Sequence, residues 1–191
     1  MHELHACTKT IASLRKRHDW RQALHVFDDV CSNHVKPDVF LFSAVISACE
    51  RAGQWASAIG LLDRMSTLRV GATVVTYNAV MSSFGAGEQW SRASALLAEM
   101  QGARVRPNVV TYSAAISACA TCAQWEQALS LLPSMRQHEV RPNMYAYNSA
   151  VGACGRGERW QLSLVLLREI AESGLSPDLI THSSLMSGFE R

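Results

Sequence analysis

The sequence predicts an all-α protein, a right-handed α-solenoid of tandem helix-turn-helix repeats, from three features that recur at one interval. A tryptophan occurs every 35 residues, at Trp20, Trp55, Trp90, Trp125 and Trp160. The same interval separates Pro37, Pro107, Pro142 and Pro177, with Ala72 at the position between the first two. An aliphatic residue lies two positions earlier, at Val35, Val70, Val105, Val140 and Leu175. Registers that coincide at one period indicate a tandem array of one structural unit.

The repeat boundaries follow from these registers. We place repeats 1 to 5 at 4–38, 39–73, 74–108, 109–143 and 144–178, followed by a half repeat at 179–191 that is truncated or continued elsewhere. Repeat 1 diverges most from the others. Because a single helical hairpin cannot bury its own apolar stripes, neighbouring hairpins must stack, and the repeats together form one solenoid domain.

Each repeat contains two amphipathic helices, as repeat 3 illustrates. The helical spacing of Tyr77, Met81 and Phe84 predicts the first helix. A glycine-bearing turn follows, and Trp90 begins the apolar stripe of the second helix. Proline ends the repeat because it lacks an N–H donor and restricts the residue before it. We interpret the tryptophans as core residues that fill the gap between adjoining hairpins, with base stacking as the alternative.

Two features depart from this pattern. Pro133 lies inside a predicted second helix, where an interior proline costs about 3 kcal/mol or bends the axis. The half repeat leaves Leu185, Met186 and Phe189 without a partner helix. We therefore expect these side chains to be exposed, and this end to accept further repeats or a protein partner.

The composition is that of a folded protein without a membrane span. Hydrophobic residues make up 48% and charged residues 18% of the 191 positions, which supports a buried core and excludes disorder. The net charge of +2 is compatible with a polyanionic partner but too small to indicate one. No run of about 18 apolar residues occurs. The segment 1–10 has neither the apolar run of a signal peptide nor the length of a transit peptide, so no targeting peptide is visible.

No pattern in the sequence indicates an enzyme, a metal site or a cofactor. Cys119 and Cys122 form a lone CxxC, whereas zinc sites usually need a second pair of ligands. Cys119 shares a repeat position with Cys49 and Cys154, which favours a buried apolar role. The segment 2–5, HELH, lacks the spacing of HExxH.

The first helices begin VVTYNAV at 74–80 and VVTYSAA at 109–115, and the repeats close on RPN or SPD. Together with the 35-residue period, these motifs resemble the pentatricopeptide repeat (PPR) family with plain P-type repeats, over essentially the whole chain. The resemblance implies sequence-selective binding of single-stranded RNA, about one base per repeat, in organellar RNA processing, stability or expression. Only this resemblance indicates a location for the protein, in a mitochondrion or plastid. The alternative is a scaffold related to tetratricopeptide repeats, which would bind a peptide in its concave groove.

By this resemblance, the fifth and last residues of each repeat face the Watson–Crick edge of one base. The fifth residues are Thr8, Ser43, Asn78, Ser113, Asn148 and Ser183. The last residues are Asp38, Thr73, Asn108, Asn143 and Asp178. Helix capping would explain Asp, Asn and Thr at the last position equally well.

The chemistry of the pairs suggests which base each repeat selects. A carboxylate accepts the ring N–H of guanine or uracil, and an Asn amide donates to the bare ring nitrogen of adenine or cytosine. Asn at the fifth position suits a pyrimidine, and Ser or Thr leaves room for a purine. Repeats 1, 3, 4 and 5 would then select G, C (or U), A and U. The base of the Ser43–Thr73 pair stays open, and Ser183 has no closing partner.

The resemblance assigns one further set of RNA contacts, to the bases, and the positive charges of the chain suggest another, to the phosphates. Residues that sandwich the bases occupy the second positions, His5, Phe40, Val75, Val110, Tyr145 and Ile180. Cations for the phosphates occupy the thirteenth positions, Lys16, Arg51, Arg156 and Arg191. A solvated side chain at a helix end is the alternative for these cations.

Overall fold

The computed structural model describes residues 2–33, 35–87 and 89–189, with only the backbone for 2–5, 86 and 189. Over these residues the chain forms eleven α-helices and no strand. They are α1 His2–Lys16, α2 Trp20–Ser32, α3 Val39–Arg51, α4 Trp55–Thr67, α5 Val74–Ala86, α6 Trp90–Gly102, α7 Val109–Thr121, α8 Trp125–Gln137, α9 Met144–Arg156, α10 Trp160–Glu172 and α11 Leu179–Phe189. Odd-numbered helices are the first helices of the hairpins, and even-numbered helices are the second.

The chain divides into two compact units, Met1–Gly87 and Glu88–Arg191, and each is a stack of hairpins. In the N-terminal unit, α3 packs against both α1 and α5, while α2 and α4 each pack on the first helices before and after them. In the C-terminal unit, α9 packs in the same way between α7 and α11, with α8 and α10 alongside. First helices therefore lie side by side, and the second helices form another layer.

The apolar stripes fill the space between these layers. Tyr77, Met81 and Phe84 are all buried, as their spacing predicts. In the N-terminal unit the rings of Phe27 and Phe42 lie 4.8 Å apart, which joins α2 to α3. Burial of such side chains contributes about 1.5–3 kcal/mol each and provides the main driving force for stacking.

The turns within and between hairpins use left-handed backbone. Gly53 and Gly174 have φ values of 65° and 74°. Residues with a Cβ occupy the corresponding turn positions elsewhere, at His18, Arg69, Arg104, Ala123, Glu139 and Glu158. A Cβ in this region costs about 1–2 kcal/mol per residue. Most of these turns therefore keep the left-handed backbone even though a residue with a Cβ is less stable in it than glycine.

The tryptophans are less buried than predicted for core residues, although Trp55 and Trp125 do fill space against the adjoining hairpin. Trp20, Trp55, Trp90 and Trp125 are half-buried and Trp160 is exposed. Each ring sits at the first residue of a second helix, at the edge of the stack. A Cβ added at Gly87 would overlap the ring of Trp55, and one at Gly157 would overlap Trp125. These two rings thus cover the turn of the following hairpin, and the guanidinium of Arg159 lies 5.3 Å from the centroid of the Trp125 ring.

The half repeat is also better packed than its sequence suggests. Leu185 is buried, contrary to the expectation, because α11 lies close against α9. A Cβ added at Gly188 would be 3.2 Å from the Cα of Gly155, so the two backbones nearly touch there. Met186 is exposed as expected, and the side chain of Phe189 lies outside the described residues.

Pro133 lies within α8, which continues to Gln137. Among the residues that the structure describes, no helix combines the length and apolar character needed to cross a bilayer.

Candidate nucleic-acid interface

The closing residue of each repeat caps the first helix of the next hairpin. The side-chain oxygen of Asp38 accepts a hydrogen bond from Leu41 N at 2.8 Å, and Oδ1 of Asn143 accepts one from Ala146 N at 2.9 Å. Thr73, Asn108 and Asp178 cap α5, α7 and α11 in the same way. Capping occupies one oxygen and fixes the direction of the rest of the side chain. The closing residues are therefore helix caps, as the alternative explanation predicts. Capping does not use every polar atom of Asp38, Asn108, Asn143 and Asp178.

In repeat 4 the two predicted base-reading residues contact each other. Ser113 in α7 donates to Oδ1 of Asn143 across 3.2 Å. The same Oδ1 accepts from Ala146 N, so two donors fix the oxygen side of the amide. The amide NH2 of Asn143 must point the other way, and no described residue accepts from it. Ser113 is buried, with 5% of its surface exposed, so the Asn143 amide, which can donate, is the more accessible group of this pair.

In repeat 5 the paired residues form a network. Nδ2 of Asn148 donates to both carboxylate oxygens of Asp178, at 3.1 and 3.2 Å. Oδ1 of Asn148 accepts from the hydroxyl of Thr181 at 2.6 Å. If one N–H of Asn148 is shared between the two oxygens, the other remains able to donate, and the exposed carboxylate of Asp178 keeps further lone pairs. The polarity is the reverse of repeat 4, with a donor at the fifth position and an acceptor at the last.

The charge of Asp178 is held in place by its neighbours. Hydrogen bonds from the backbone N–H of Thr181, the Thr181 hydroxyl and Asn148 lower the pKa of this exposed carboxyl below its ordinary value. Hydrogen bonds to a carboxylate stabilise its ionised form. Asp178 is therefore an acceptor at neutral pH.

In repeat 2 the pair is joined through a third hydroxyl. The Oγ1 of Thr76 lies 3.3 Å from Oγ of Ser43 and 3.2 Å from Oγ1 of Thr73. Ser43 is half-buried and Thr73 is exposed.

The other base-reading candidates are placed individually. Thr8 and Asn78 are half-buried on α1 and α5, and Asp38 is exposed at the start of α3. Asn108 is half-buried at the start of α7. Ser183 is exposed on α11 and donates to its own helix, at Ile180 O.

Large apolar side chains stand exposed at the second position of the first helices. Their exposed fractions run from 52% to 73%, at Phe40, Val75, Val110, Tyr145 and Ile180. Exposed apolar side chains that recur at one repeat position within each unit are unlike the scattered exposed apolar residues of an ordinary surface. Tyr145 is also tethered, because its hydroxyl donates to Ser117 Oγ at 3.4 Å. The side chain of His5 lies outside the described residues.

The predicted phosphate contacts differ in their surroundings. Lys16 and Arg51 are exposed at the ends of α1 and α3. Arg156 is also exposed, but its Nε donates to the carbonyl of Ala120 at 2.6 Å, which anchors the guanidinium to the preceding hairpin. The other guanidinium N–H groups can still reach an anion. Arg191 lies outside the described residues.

The cysteines of the shared repeat position are apolar core groups. Burial raises the pKa of Cys49, Cys119 and Cys154 to about 11, which keeps these thiols protonated and unreactive. Within the ranges that the structure describes, no three His, Cys, Asp or Glu side chains are grouped so that they could hold a metal ion.

The structure adds one set of residues that sequence reasoning missed. The third position of the first helices holds Thr76, Thr111 and Thr181, all buried, with hydroxyls against the closing residues Thr73, Asn108 and Asp178. Repeat 5 has Ala146 there instead. Recurrence of threonine at the third position of these first helices was the signal available in the sequence.

Three repeat-family models match the chain. The model described as the pentatricopeptide repeat domain covers residues 4–51 and 25–87, the PPR repeat family covers 72–121, and the PPR repeat covers 110–140 and 145–175. No curated protein matches the chain at a significant level of sequence similarity.

Solved structures of the same fold include PPR10 from maize, with 25% identity and a TM-score of 0.75 over 96% of this chain and 26% of that chain. PPR10 in complex with an 18-nt psaJ RNA element shows 26% identity and a TM-score of 0.82 over 96% of this chain. The chain spans about a quarter of the length of PPR10. The PPR domain of Arabidopsis thaliana protein-only RNase P 1, in complex with tRNA, is 13% identical with a TM-score of 0.79, and 96% of each chain is covered. The fold class predicted from the sequence, an all-α solenoid of helical hairpins, is confirmed.

Proposed function

Because the chain belongs to the pentatricopeptide repeat family, we propose that it binds single-stranded RNA sequence-selectively, with about one base per repeat. By family membership its setting is a mitochondrion or plastid, where occupying RNA would affect processing, stability or expression. The similarity to PPR10 in complex with RNA supports this proposal.

One observation carries the proposal: the paired residues of repeats 4 and 5 present opposite hydrogen-bonding edges. In repeat 4 the Ser113 hydroxyl and Ala146 N both donate to Oδ1 of Asn143. We expect the Ser113 oxygen to accept from a base and the Asn143 amide nitrogen to donate to it. Adenine offers the complement on its Watson–Crick edge, an amino group that donates beside a ring nitrogen that accepts. The two hydrogen bonds of the free protein already orient the Asn143 amide. RNA binding therefore loses little side-chain conformational entropy at this residue.

In repeat 5 the Asn148 amide donates and the Asp178 carboxylate accepts. Uracil offers the complement, a carbonyl oxygen that accepts beside a ring N–H that donates. A carboxylate facing the bare ring nitrogen of adenine or cytosine would leave two acceptors without a proton between them.

The size of the fifth residue separates bases that share an edge pattern. Cytosine resembles adenine in its edge, and guanine resembles uracil. The short Ser113 leaves room for a purine, and the longer Asn148 extends toward a pyrimidine. We therefore assign A to repeat 4 and U to repeat 5. Asp38 is an exposed carboxylate that could accept from the ring N–H of guanine, which supports the assignment of G to repeat 1.

The exposed apolar row supports stacking on the bases. Phe40 and Tyr145 are aromatic where the other described members are aliphatic, and a base stacked on an aromatic ring gains about 1–3 kcal/mol. Lys16, Arg51 and Arg156 would contact phosphates on the same strand.

The proposal is tested by fluorescence anisotropy with a labelled RNA containing G-N-C-A-U, at several salt concentrations. Unlabelled G-N-C-A-U should displace the label more effectively than its scrambled sequence. The logarithm of the binding constant should fall with the logarithm of salt concentration by about 0.7 per phosphate contact. Equal displacement by both competitors would contradict base selection, and absence of RNA binding would favour the peptide scaffold.

A further inference from the structure

We propose that Thr181 is a positioning residue that determines which base repeat 5 selects, by committing the oxygen of Asn148. This inference rests on the proposed function and adds to each base-reading pair a third residue, at the third position of the following first helix. Thr181 does not itself face the base, because its side chain is fully buried.

The contacts of Thr181 place it between the two base-reading residues. Its Oγ1 lies 2.6 Å from Oδ1 of Asn148 and 2.8 Å from Oδ1 of Asp178, and it accepts from the backbone N–H of Asp178 at 3.1 Å. A hydroxyl has a single hydrogen to donate. Oδ1 of Asp178 already accepts from the backbone N–H of Thr181 at 2.8 Å and from Asn148. The hydroxyl hydrogen therefore points mainly toward Oδ1 of Asn148, the shorter contact, and is shared with Oδ1 of Asp178.

This assignment fixes the orientation of the Asn148 amide. Its oxygen faces the Thr181 hydroxyl and its nitrogen faces the Asp178 carboxylate. In the flipped orientation, the amide oxygen would face the carboxylate with no hydrogen between them. With its oxygen held against the Thr181 hydroxyl, Asn148 offers the base its amide nitrogen, which donates.

The consequence concerns the choice between the two pyrimidines. Uracil places a carbonyl oxygen where cytosine places an amino group. In this orientation Asn148 satisfies the uracil oxygen and leaves the cytosine amino group without an acceptor. Freeing Oδ1 of Asn148 would give that amino group an acceptor and reduce the preference for uracil.

Other repeats support a general role for this position. Thr76 joins Ser43 and Thr73 through one hydroxyl in the N-terminal unit. Where the third position is Ala146, no hydroxyl is present, and Ser113 instead donates directly to Asn143. A threonine at the third position thus adds a hydroxyl that contacts both paired residues, as Thr181 does for Asn148 and Asp178.

The test compares wild type, Thr181→Val and Thr181→Ser on RNAs of the form G-N-C-A-X, with X as U or C. Valine has nearly the shape of threonine and lacks the hydroxyl, and serine restores it. Thr67→Val is the matched control, because the Thr67 hydroxyl donates to its own helix at Asp63 O, away from every paired residue. Thermal melting of all four proteins shows whether they are folded.

Wild type should prefer U over C by at least about fivefold, on the scale of one good base contact. In Thr181→Val the ratio should fall at least threefold, and Thr181→Ser and Thr67→Val should retain it. An unchanged ratio in Thr181→Val, or an equal loss of affinity for both RNAs, would overturn the positioning role while base selection by wild type stands. A wild type without preference at X would overturn base selection in repeat 5 itself, and the inference with it.

Discussion

Ser113 lies in α7 and Asn143 directly precedes α9, and the hydroxyl of Ser113 donates to Oδ1 of Asn143 across 3.2 Å. The same oxygen caps α9, so one atom joins the end of one repeat to the start of the next helix. The amide nitrogen is left facing outward. The amide oxygen of Asn143 thus has a structural role, and its amide nitrogen has the proposed recognition role.

The contact between Trp125 and the turn at Gly157 should make Gly157→Ala destabilising. A Cβ there would overlap the Trp125 ring, which must then move away from the following hairpin. We expect a loss of about 1–3 kcal/mol in the free energy of unfolding, the usual cost of overpacking. Urea denaturation followed by circular dichroism measures it.

Gly60→Ala is the matched control for this experiment. Gly60 lies within α4, and a Cβ added there has no neighbour within 4 Å. Alanine is favoured over glycine in a helix by about 0.5–1 kcal/mol, so this variant should be stabilised. Two variants that shift stability in the same direction would contradict the packing assigned to Trp125.

The left-handed turn at Ala123 should be improved by glycine. Ala123 has a φ of 54°, and Gly53 has 65° at the same repeat position. Glycine adopts this conformation without a Cβ clash, although it also loses more entropy on folding. We expect Ala123→Gly to raise the free energy of unfolding by about 0.5–1 kcal/mol and Gly53→Ala to lower it by a similar amount. Urea midpoints that move the opposite way would exclude strain at these turns.

The network around Asp178 should appear in its titration. Bonds from the Thr181 backbone, the Thr181 hydroxyl and Asn148 hold the pKa below 3.8, the ordinary value. Since the folded pKa is lowered, the stabilisation is present above the unfolded value and is lost as the pH falls through the folded value. Carboxyl carbon chemical shifts measured by NMR should give a midpoint below 3.8 in wild type. Thr181→Val should raise the midpoint, and an unshifted wild-type midpoint would contradict the network.

The sequence was sufficient for the helices because the apolar spacing and the closing residues both recur. The stripe of Tyr77, Met81 and Phe84 is buried as its period predicts. The closing residue was correctly recognised as a helix cap, because Asp, Asn and Thr accept from backbone N–H groups at that position.

Burial at the edges of the stack could not be predicted from periodicity. Trp90 continues the apolar stripe of its helix but stands at the first residue, where the ring is only half-buried. Leu185 is buried because two glycines let α11 approach α9, a feature of the backbone that a hydrophobic pattern does not show. The bridge through Thr181 depends on side-chain geometry between helices, which no local pattern reports.

The central claim is that paired residues select bases, and Asn143→Asp tests it most directly. The change keeps the helix cap and the volume but replaces the outward donor by an acceptor, so stability should change little. Affinities of wild type and Asn143→Asp are measured for G-N-C-A-U and G-N-C-G-U at fixed salt. Wild type should prefer the first RNA and the variant the second, each by about 1–3 kcal/mol. Equal affinity of both proteins for both RNAs would contradict base selection by Ser113 and Asn143.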